Sequence, residues 1–288
     1  MKKLEYYQKL IPDTEQKDTH LSLIQENISG GKIAQAHIDL IRQHPNVTEI
    51  SISGLRQDTF DYFIERYGNQ FKAISFWKCP LVEDLSKIEL LQGVEYITYY
   101  WNQRAVELWD FSKTESLKGF NFDDFTRMHD ISQISLALAL EELSFGNMVW
   151  PKYILNTLEP LRECTSLKFL SFSAKKVLDN RIEPVAALKQ LERLEFPSNM
   201  FSTEQVAWLK AHLPPTVESK VLHPYWQIED ALAISGKNKD TFIVGKRKPF
   251  LDSVQDKKHI DKYVRQFNEM CQWYSQNPHA APEDYQAS

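Results

Sequence analysis

One six-residue phrase recurs seven times between Val47 and Phe196: a large apolar residue, two variable positions, a second apolar residue, one more variable position, then an aromatic residue or Ile. The copies are VTEISI (47–52), FKAISF (71–76), VEYITY (94–99), LKGFNF (117–122), LEELSF (140–145), LKFLSF (167–172) and LERLEF (191–196). Their starts lie 24, 23, 23, 23, 27 and 24 residues apart. At such a period each repeat is one supersecondary unit that cannot bury its apolar face alone, so neighbours must stack into a solenoid. We number positions from the first residue of each phrase as slots. Side chains alternate along a strand, so if slots one, four and six point into the interior, slots three, five and seven face outward.

The phrase and its spacing match the pattern L-x-x-L-x-L-x-x-N/C-x-L, and over about seven repeats (residues 47–215) the chain resembles a leucine-rich-repeat protein. The resemblance implies an α/β solenoid, with a curved parallel β-sheet on the concave side and helices or 3-10 turns on the convex side. It also implies an Asn or Cys at slot nine that bridges backbone groups of neighbouring turns. Cys79, Asn102 and Asn199 match; Leu55, Phe125, Met148 and Lys175 do not, which predicts a broken ladder and an irregular middle. Slot six carries Phe76, Tyr99, Phe122, Phe145, Phe172 and Phe196, expected to stack as a spine inside the coil.

Both ends need caps, because an uncovered terminal repeat exposes its apolar face. Residues 1–46 form the expected helical N-terminal cap: Ile33, Ala36, Leu40 and Ile41 fall at helical spacing and predict a helix over 32–44. The solenoid is assigned to 47–216. On its convex side Phe60, Phe63 and Ile64 predict a helix, and Leu81, Leu85, Ile88 and Leu91 a helix or 3-10 turns. Ser202 and Gln205 make a capping box, with Phe201 and Val206 placed as a hydrophobic staple, before a helix that Pro214–Pro215 ends. Residues 217–276 form an α+β C-terminal cap with a strand near 241–245 and an amphipathic helix over 254–275, and 277–288 read as a disordered tail. The 27-residue step holds Met148-Val149-Trp150-Pro151, an insertion on one face of the coil.

Composition excludes several functions. With 34 Lys and Arg against 39 Asp and Glu the formal charge is −5, which argues against nucleic-acid or membrane-surface binding. Three scattered cysteines, Cys79, Cys164 and Cys271, belong to no C-x-x-C, as expected of a reduced cytoplasmic chain. Neither a signal-like apolar segment nor a membrane span is evident. The eight histidines form no H-E-x-x-H or comparable pair, and no phosphate-cradling glycine motif occurs. Hence no catalytic residues, metal site or cofactor are expected.

The outward slots carry the candidate site. Slot five is small and polar: Ser51, Ser75, Thr98, Asn121, Ser144, Ser171 and Glu195. Slot seven reads Ser53, Trp77, Tyr100, Asp123, Gly146, Ser173 and Pro197, while slot three adds Tyr96 and slot eight adds Trp101 and Asp124. Trp77, Tyr96, Tyr100, Trp101, Asp123 and Asp124 are therefore expected to converge on one patch over the second to fourth repeats. Such rings are typical interface anchors, and adjacent carboxylates favour a partner's Lys or Arg.

The expectation is a non-enzymatic module, monomeric when free, that grips a protein partner with basic residues. A narrower form is an inhibitor or toxin-neutralising, immunity-like protein. The alternatives are an effector or enzyme-associated protein whose C-terminal part acts while the repeats bind substrate, or a structural assembly subunit. In the C-terminal part Lys246-Arg247-Lys248 and Lys257-Lys258-His259 concentrate positive charge, which solvated surface also explains.

Overall fold

The computed structural model describes residues 19–25, 31–147, 153–234 and 237–285. Ten strands precede the C-terminal cap: β1 (His20–Leu23), β2 (Glu49–Ser53), β3 (Ala73–Trp77), β4 (Tyr96–Asn102), β5 (Gly119–Phe125), β6 (Glu142–Gly146), β7 (Ile154–Leu155), β8 (Phe169–Ser173), β9 (Lys176–Val177) and β10 (Arg193–Glu195). Eight of them form one parallel sheet in the order β1–β2–β3–β4–β5–β6–β8–β10, while β7 and β9 pair as a small second sheet. Like slot pairs with like slot: Ile50, Ile74, Ile97, Phe120, Leu143, Leu170 and Leu194 follow one another across the sheet.

Register is set at slot two. From Thr48 to Lys168 the slot-two carbonyl of each repeat accepts the N–H groups of slots two and three of the next, as when Glu95 O takes Lys118 N at 2.8 Å and Gly119 N at 3.0 Å. The side chains there alternate in sign, Lys72, Glu95, Lys118, Glu141, Lys168 and Glu192. Lys118–Glu95 (2.7 Å), Lys168–Glu141 (2.8 Å) and Lys72–Glu95 (4.0 Å) are ion pairs across neighbouring turns. Exposed pairs contribute only about 0–1 kcal/mol each, but the alternation keeps like charges from standing side by side.

Slots one, four and six fill the interior as expected. Of the slot-six rings, Phe76 and Tyr99 meet tilted at 5.1 Å, and the others stack at 5.3 Å (Phe122–Phe145), 5.9 Å (Phe145–Phe172) and 5.4 Å (Phe172–Phe196). Between Tyr99 and Phe122 the spine is bridged by Phe125, edge-on to both at 5.0 and 5.4 Å. That is the physical use of the broken slot nine: an aromatic wedge replaces the polar bridge. Where the polar bridge survives it is dense. Buried Asn102 donates to Val82 O (2.8 Å) and to the Tyr99 hydroxyl (3.1 Å), and its Oδ1 accepts Arg104 N (2.9 Å) and Ala105 N (2.8 Å). The Tyr99 hydroxyl in turn donates to Cys79 O at 2.8 Å. Asn199, which matches the pattern in sequence, is instead exposed in the turn after β10, because the sheet stops pairing there.

The convex side carries α1 (Gln35–Ile38) continued by a 3-10 turn to Gln43, then α2 (Gln57–Tyr67), and 3-10 turns in the following repeats until α3 (Thr203–His212). The predicted capping box is present: Gln205 N donates to Ser202 Oγ (3.2 Å) and Ser202 N to Gln205 Oε1 (3.0 Å). Two elements differ from expectation at the N-terminal side. The predicted helix over 32–44 is only one α-turn extended by 3-10 geometry, and an eighth strand, β1, precedes it. In β1, Leu21 and Leu23 pair with Ile50 and Ile52 of slots four and six, and the sequence three residues before Leu21 reads Asp instead of a large apolar residue, which hides the copy.

Beyond β10 the cap contains β11 (Tyr225–Ile234), β12 (Lys237–Ile243) and β13 (Phe250–Leu251) as an antiparallel sheet, and α4 (Lys257–Gln276) packed on α3. Phe267, Met270 and Tyr274 form the buried stripe of α4. The tail expected to be disordered is folded back through residue 285: Trp208 Nε1 donates to Ala280 O at 2.7 Å, the Tyr274 hydroxyl to Pro282 O, and Tyr285 packs edge-on against Trp273. Two indole and phenol donors that would otherwise be buried without acceptors hold it in place. The insertion at 148–151 lies outside the described residues.

Substituting Asn102 by Ala removes the acceptor of two backbone N–H groups, that of Ala105 buried, and should destabilise the protein by about 2–3 kcal/mol in urea unfolding. Asn199→Ala, at the matching slot of the last repeat, should change stability by less than about 0.5 kcal/mol.

Candidate functional site

The outward face of β3–β5 brings the slot-seven residues into one row, with Trp77 paired to Tyr100 and Tyr100 to Asp123. The Trp77 and Tyr100 rings are stacked, with centroids 4.5 Å apart and planes 22° from parallel, and both are half-buried. Lys78 Nζ stands 5.5 Å from the Trp77 centroid, so one cation of this chain already uses that ring. Tyr100 faces Asp123 on its other side. The next residue in the row is Gly146, which leaves that flank of Asp123 without a side-chain wall. Gly146 has φ +147°, and a Cβ there would come within 2.3 Å of Ser173 O, so no larger residue fits.

Slot five forms the floor. Ser75, Thr98, Asn121, Ser144 and Ser171 run across the sheet beside the aromatic row. At the first repeat this track is closed by the N-terminal segment: His20 Nε2 lies 2.9 Å from Ser51 Oγ, and Gln25 N donates to Ser53 Oγ at 2.7 Å. Tyr96 belongs to slot three, on the far side of Thr98 from Tyr100, and is buried between Ala73 and Gly119. Its hydroxyl is pushed up in pKa by burial and then by the Glu142 carboxylate two strands away. Tyr96 therefore walls the opposite edge of the hydroxyl floor and does not join the Trp77–Tyr100 stack.

A column of left-handed residues bends the chain at slot eight. Gly54, Lys78, Trp101 and Asp124 have φ of +73°, +53°, +67° and +57° in four consecutive repeats. For a bulky residue such as Trp this conformation is a genuine outlier, costing about 1–2 kcal/mol. Trp101, within β4, is half-buried, with its indole N–H buried and making no hydrogen bond. Asp124 points inward, as the shared parity of slot eight with slots four and six dictates. That carboxylate, expected on the surface, is only 1% exposed and accepts a hydrogen bond from the Tyr100 hydroxyl. Five of the six expected residues thus remain on or beside the face, while Asp124 acts from behind it.

Two carboxylates this close cannot both ionise easily. Burial first, and the neighbouring Asp124 charge second, push Asp123 up to about 7, against a smaller lowering by its hydrogen bond with Asn121. Tyr100 is raised as well, by burial and then by Asp124 and Asp123. The site can therefore present a carboxylate whose charge changes near neutrality beside two stacked ring faces. Asn121, Gly146 and Lys78 belong to this arrangement without having been singled out by sequence reasoning. Only slot parity pointed to Asn121, and nothing in a Lys or Trp announces a positive φ.

Because the folded protein holds the Asp123 proton more tightly than the unfolded chain, in which an aspartate titrates near 3.8, this group lowers stability as pH rises from about 4 to 7, and the loss persists above 7. Asp123→Asn should accordingly be more stable than the wild type at pH 8, with the difference vanishing near pH 4; urea unfolding at the two pH values measures it, and a pH-independent difference would contradict the assignment.

No family model and no curated protein matches this chain. Among solved structures it is similar to an LRR protein of Leptospira interrogans (18% identity, TM-score 0.45), covering 65% of this chain and 46% of that one. It is also similar to internalin C2 of Listeria monocytogenes (17% identity, TM-score 0.42, covering 65% of this chain and 77% of that one). A second Listeria monocytogenes internalin, inlF, shows 15% identity and a TM-score of 0.41, covering 71% of this chain and 63% of that one. This chain thus spans less than half of the Leptospira protein. With its repeated phrase, slot-for-slot parallel sheet and convex helices and 3-10 turns, the chain is a leucine-rich-repeat solenoid with an α/β fold.

Proposed function

We propose that this chain is a non-enzymatic protein-binding module that takes a basic side chain of a protein partner on the concave face of its second to fourth repeats. The observation that carries the proposal is the outward Trp77–Tyr100 stack ending on Asp123, with no side-chain wall at Gly146. A Lys or Arg entering from that flank meets the ionisable carboxylate of Asp123 at the end of the row, which offers a charge-assisted hydrogen bond beside the half-buried Trp77–Tyr100 stack. On the floor, Ser75 and Thr98 are buried and the half-buried Asn121 amide is the group open to the backbone that bears that Lys or Arg. Trp101, half-buried, extends the aromatic surface beside the row.

Tyr96 supports the opposite wall, and Asp124 tunes Asp123 without touching the partner. A narrower proposal is an inhibitory or immunity-like role, in which an acidic chain of net charge −5 occludes a basic target. Three unpaired cysteines, two of them buried, support a cytoplasmic setting. Among the described residues no helix is long and apolar enough to cross a membrane.

Changing Trp77 and Tyr100 together to Ala should abolish partner capture from the native host, compared by mass spectrometry with the wild type, while circular dichroism shows the fold intact. Unchanged capture would sink the proposal. Affinity for the captured partner should rise between pH 6 and 8 as Asp123 ionises near pH 7, and Asp123→Asn should flatten that profile.

A further inference from the structure

Cations of the repeats are widely engaged with carboxylates: Lys72, Lys87, Lys118, Arg162, Lys168, Arg181 and Arg193 each make an ion pair. Other cations make no ion pair among the described residues, and five of these belong to two runs that the fold brings to one place. Lys175 and Lys176 leave the end of β8 in the sixth repeat, and Lys246, Arg247 and Lys248 follow β12 in the C-terminal cap. The two runs are 70 residues apart in sequence (246 minus 176), yet the fold brings them together.

Specific contacts enforce the meeting. Gly245 N donates to Ser198 O and Lys246 N to Phe201 O, both at 2.8 Å, which fastens the cap loop to the strand-end rim of the seventh repeat. Gly245 has φ +127°, and a Cβ there would lie 2.2 Å from Thr203 Oγ1, so the close approach requires glycine. Lys246 Nζ donates to Asn180 Oδ1, and Lys248 Nζ stands 5.3 Å from the Tyr263 ring centroid. Burial and the Lys176 ammonium both push Lys246 below its ordinary range, as two like charges held close must.

Of the five non-glycine residues with positive φ among those described, three lie at the aromatic patch; the other two, Asn180 (+55°) and Arg247 (+58°), lie here. Strain retained where like charges converge marks a surface shaped for something other than stability.

We propose that this rim, formed by Lys175, Lys176, Lys246, Arg247 and Lys248, is a second docking surface that takes a short acidic segment of a polypeptide. Charge and size select that occupant. Outside these five cations the chain's formal charge is −10 (−5 minus 5), which by repulsion disfavours a polyanion or anionic membrane that spreads over much of the molecule. A short carboxylate-rich segment is confined within about one Debye length of the five cations and escapes that repulsion. The aromatic patch and this rim are separate surfaces with opposite charge preference, so one can fail without the other.

The test uses the full chain and a fluorescein-labelled glutamate-rich peptide of about ten residues, followed by anisotropy at about 50 and 300 mM salt. Binding at low salt should weaken at least about tenfold at high salt and by a similar factor in Lys176→Glu/Lys246→Glu. Because Lys246 holds Asn180, Lys175→Glu/Lys176→Glu provides a second variant confined to exposed side chains, and it should show the same loss. Trp77→Ala/Tyr100→Ala should bind the acidic peptide as the wild type does. The proposal is overturned by absent binding at low salt, by charge reversals that leave affinity unchanged, or by vesicles of anionic lipid competing with the same lysine dependence.

Discussion

Each turn of this solenoid rests on one carbonyl. At slot two a single C=O holds two N–H groups of the following repeat, and that shared bond brings every later slot into register with its neighbour. A slip of one residue would send the whole apolar set to the other face, so the consequence reaches both sides of the sheet. Inward, it aligns Phe76, Tyr99, Phe122, Phe145, Phe172 and Phe196 close enough to stack. Outward, it aligns Trp77, Tyr100 and Asp123 into a row. The spine and the candidate site are two faces of one register, and the alternating Lys and Glu at slot two reinforce it with weak but consistent charge pairing.

Departures from regularity are local and each has a cause. Phe125 occupies the slot that Asn102 uses one repeat earlier, exchanging hydrogen bonds for an aromatic wedge between Tyr99 and Phe122. The left-handed bends at Lys78, Trp101 and Asp124 all fall at slot eight, where Asp124 follows the inward parity and is buried while Lys78 and Trp101 stay partly exposed. One consequence is electrostatic. With Asp124 buried against the Tyr100 hydroxyl, burial first and that neighbouring carboxylate second push the half-buried Asp123 up to about 7. Polar rows and strained bends that contribute nothing to the core are expected where a protein meets something else.

The two surfaces differ in how they are assembled. The aromatic row comes from consecutive repeats, so slot parity alone locates it. The basic rim joins the sixth repeat to a loop of the cap, and its cations meet only because Gly245 permits the loop to press against the N-terminus of α3. A linear reading of Lys246-Arg247-Lys248 sees an ordinary solvated run, because the partners that make it unusual, Lys175 and Lys176, lie a quarter of the chain away.

By itself the sequence determined the period, the interior slots, the capping box at Ser202 and the membership of the outward rows, since all of these follow from short-range alternation and spacing. Its alternating slot-two charges were equally legible, but they acquire meaning only once strands are known to be neighbours. Tertiary structure alone decided the rest. It revealed β1, where Leu21 and Leu23 pair with slots four and six of β2 without a full copy of the phrase in the sequence. It put Asp124 beside the Tyr100 hydroxyl and set Tyr96 apart from the stack, because cross-strand neighbours lie outside what residue identity encodes. It also folded the 277–285 tail onto α3 and α4, where Trp208 and Tyr274 needed acceptors that no nearby residue in sequence could supply.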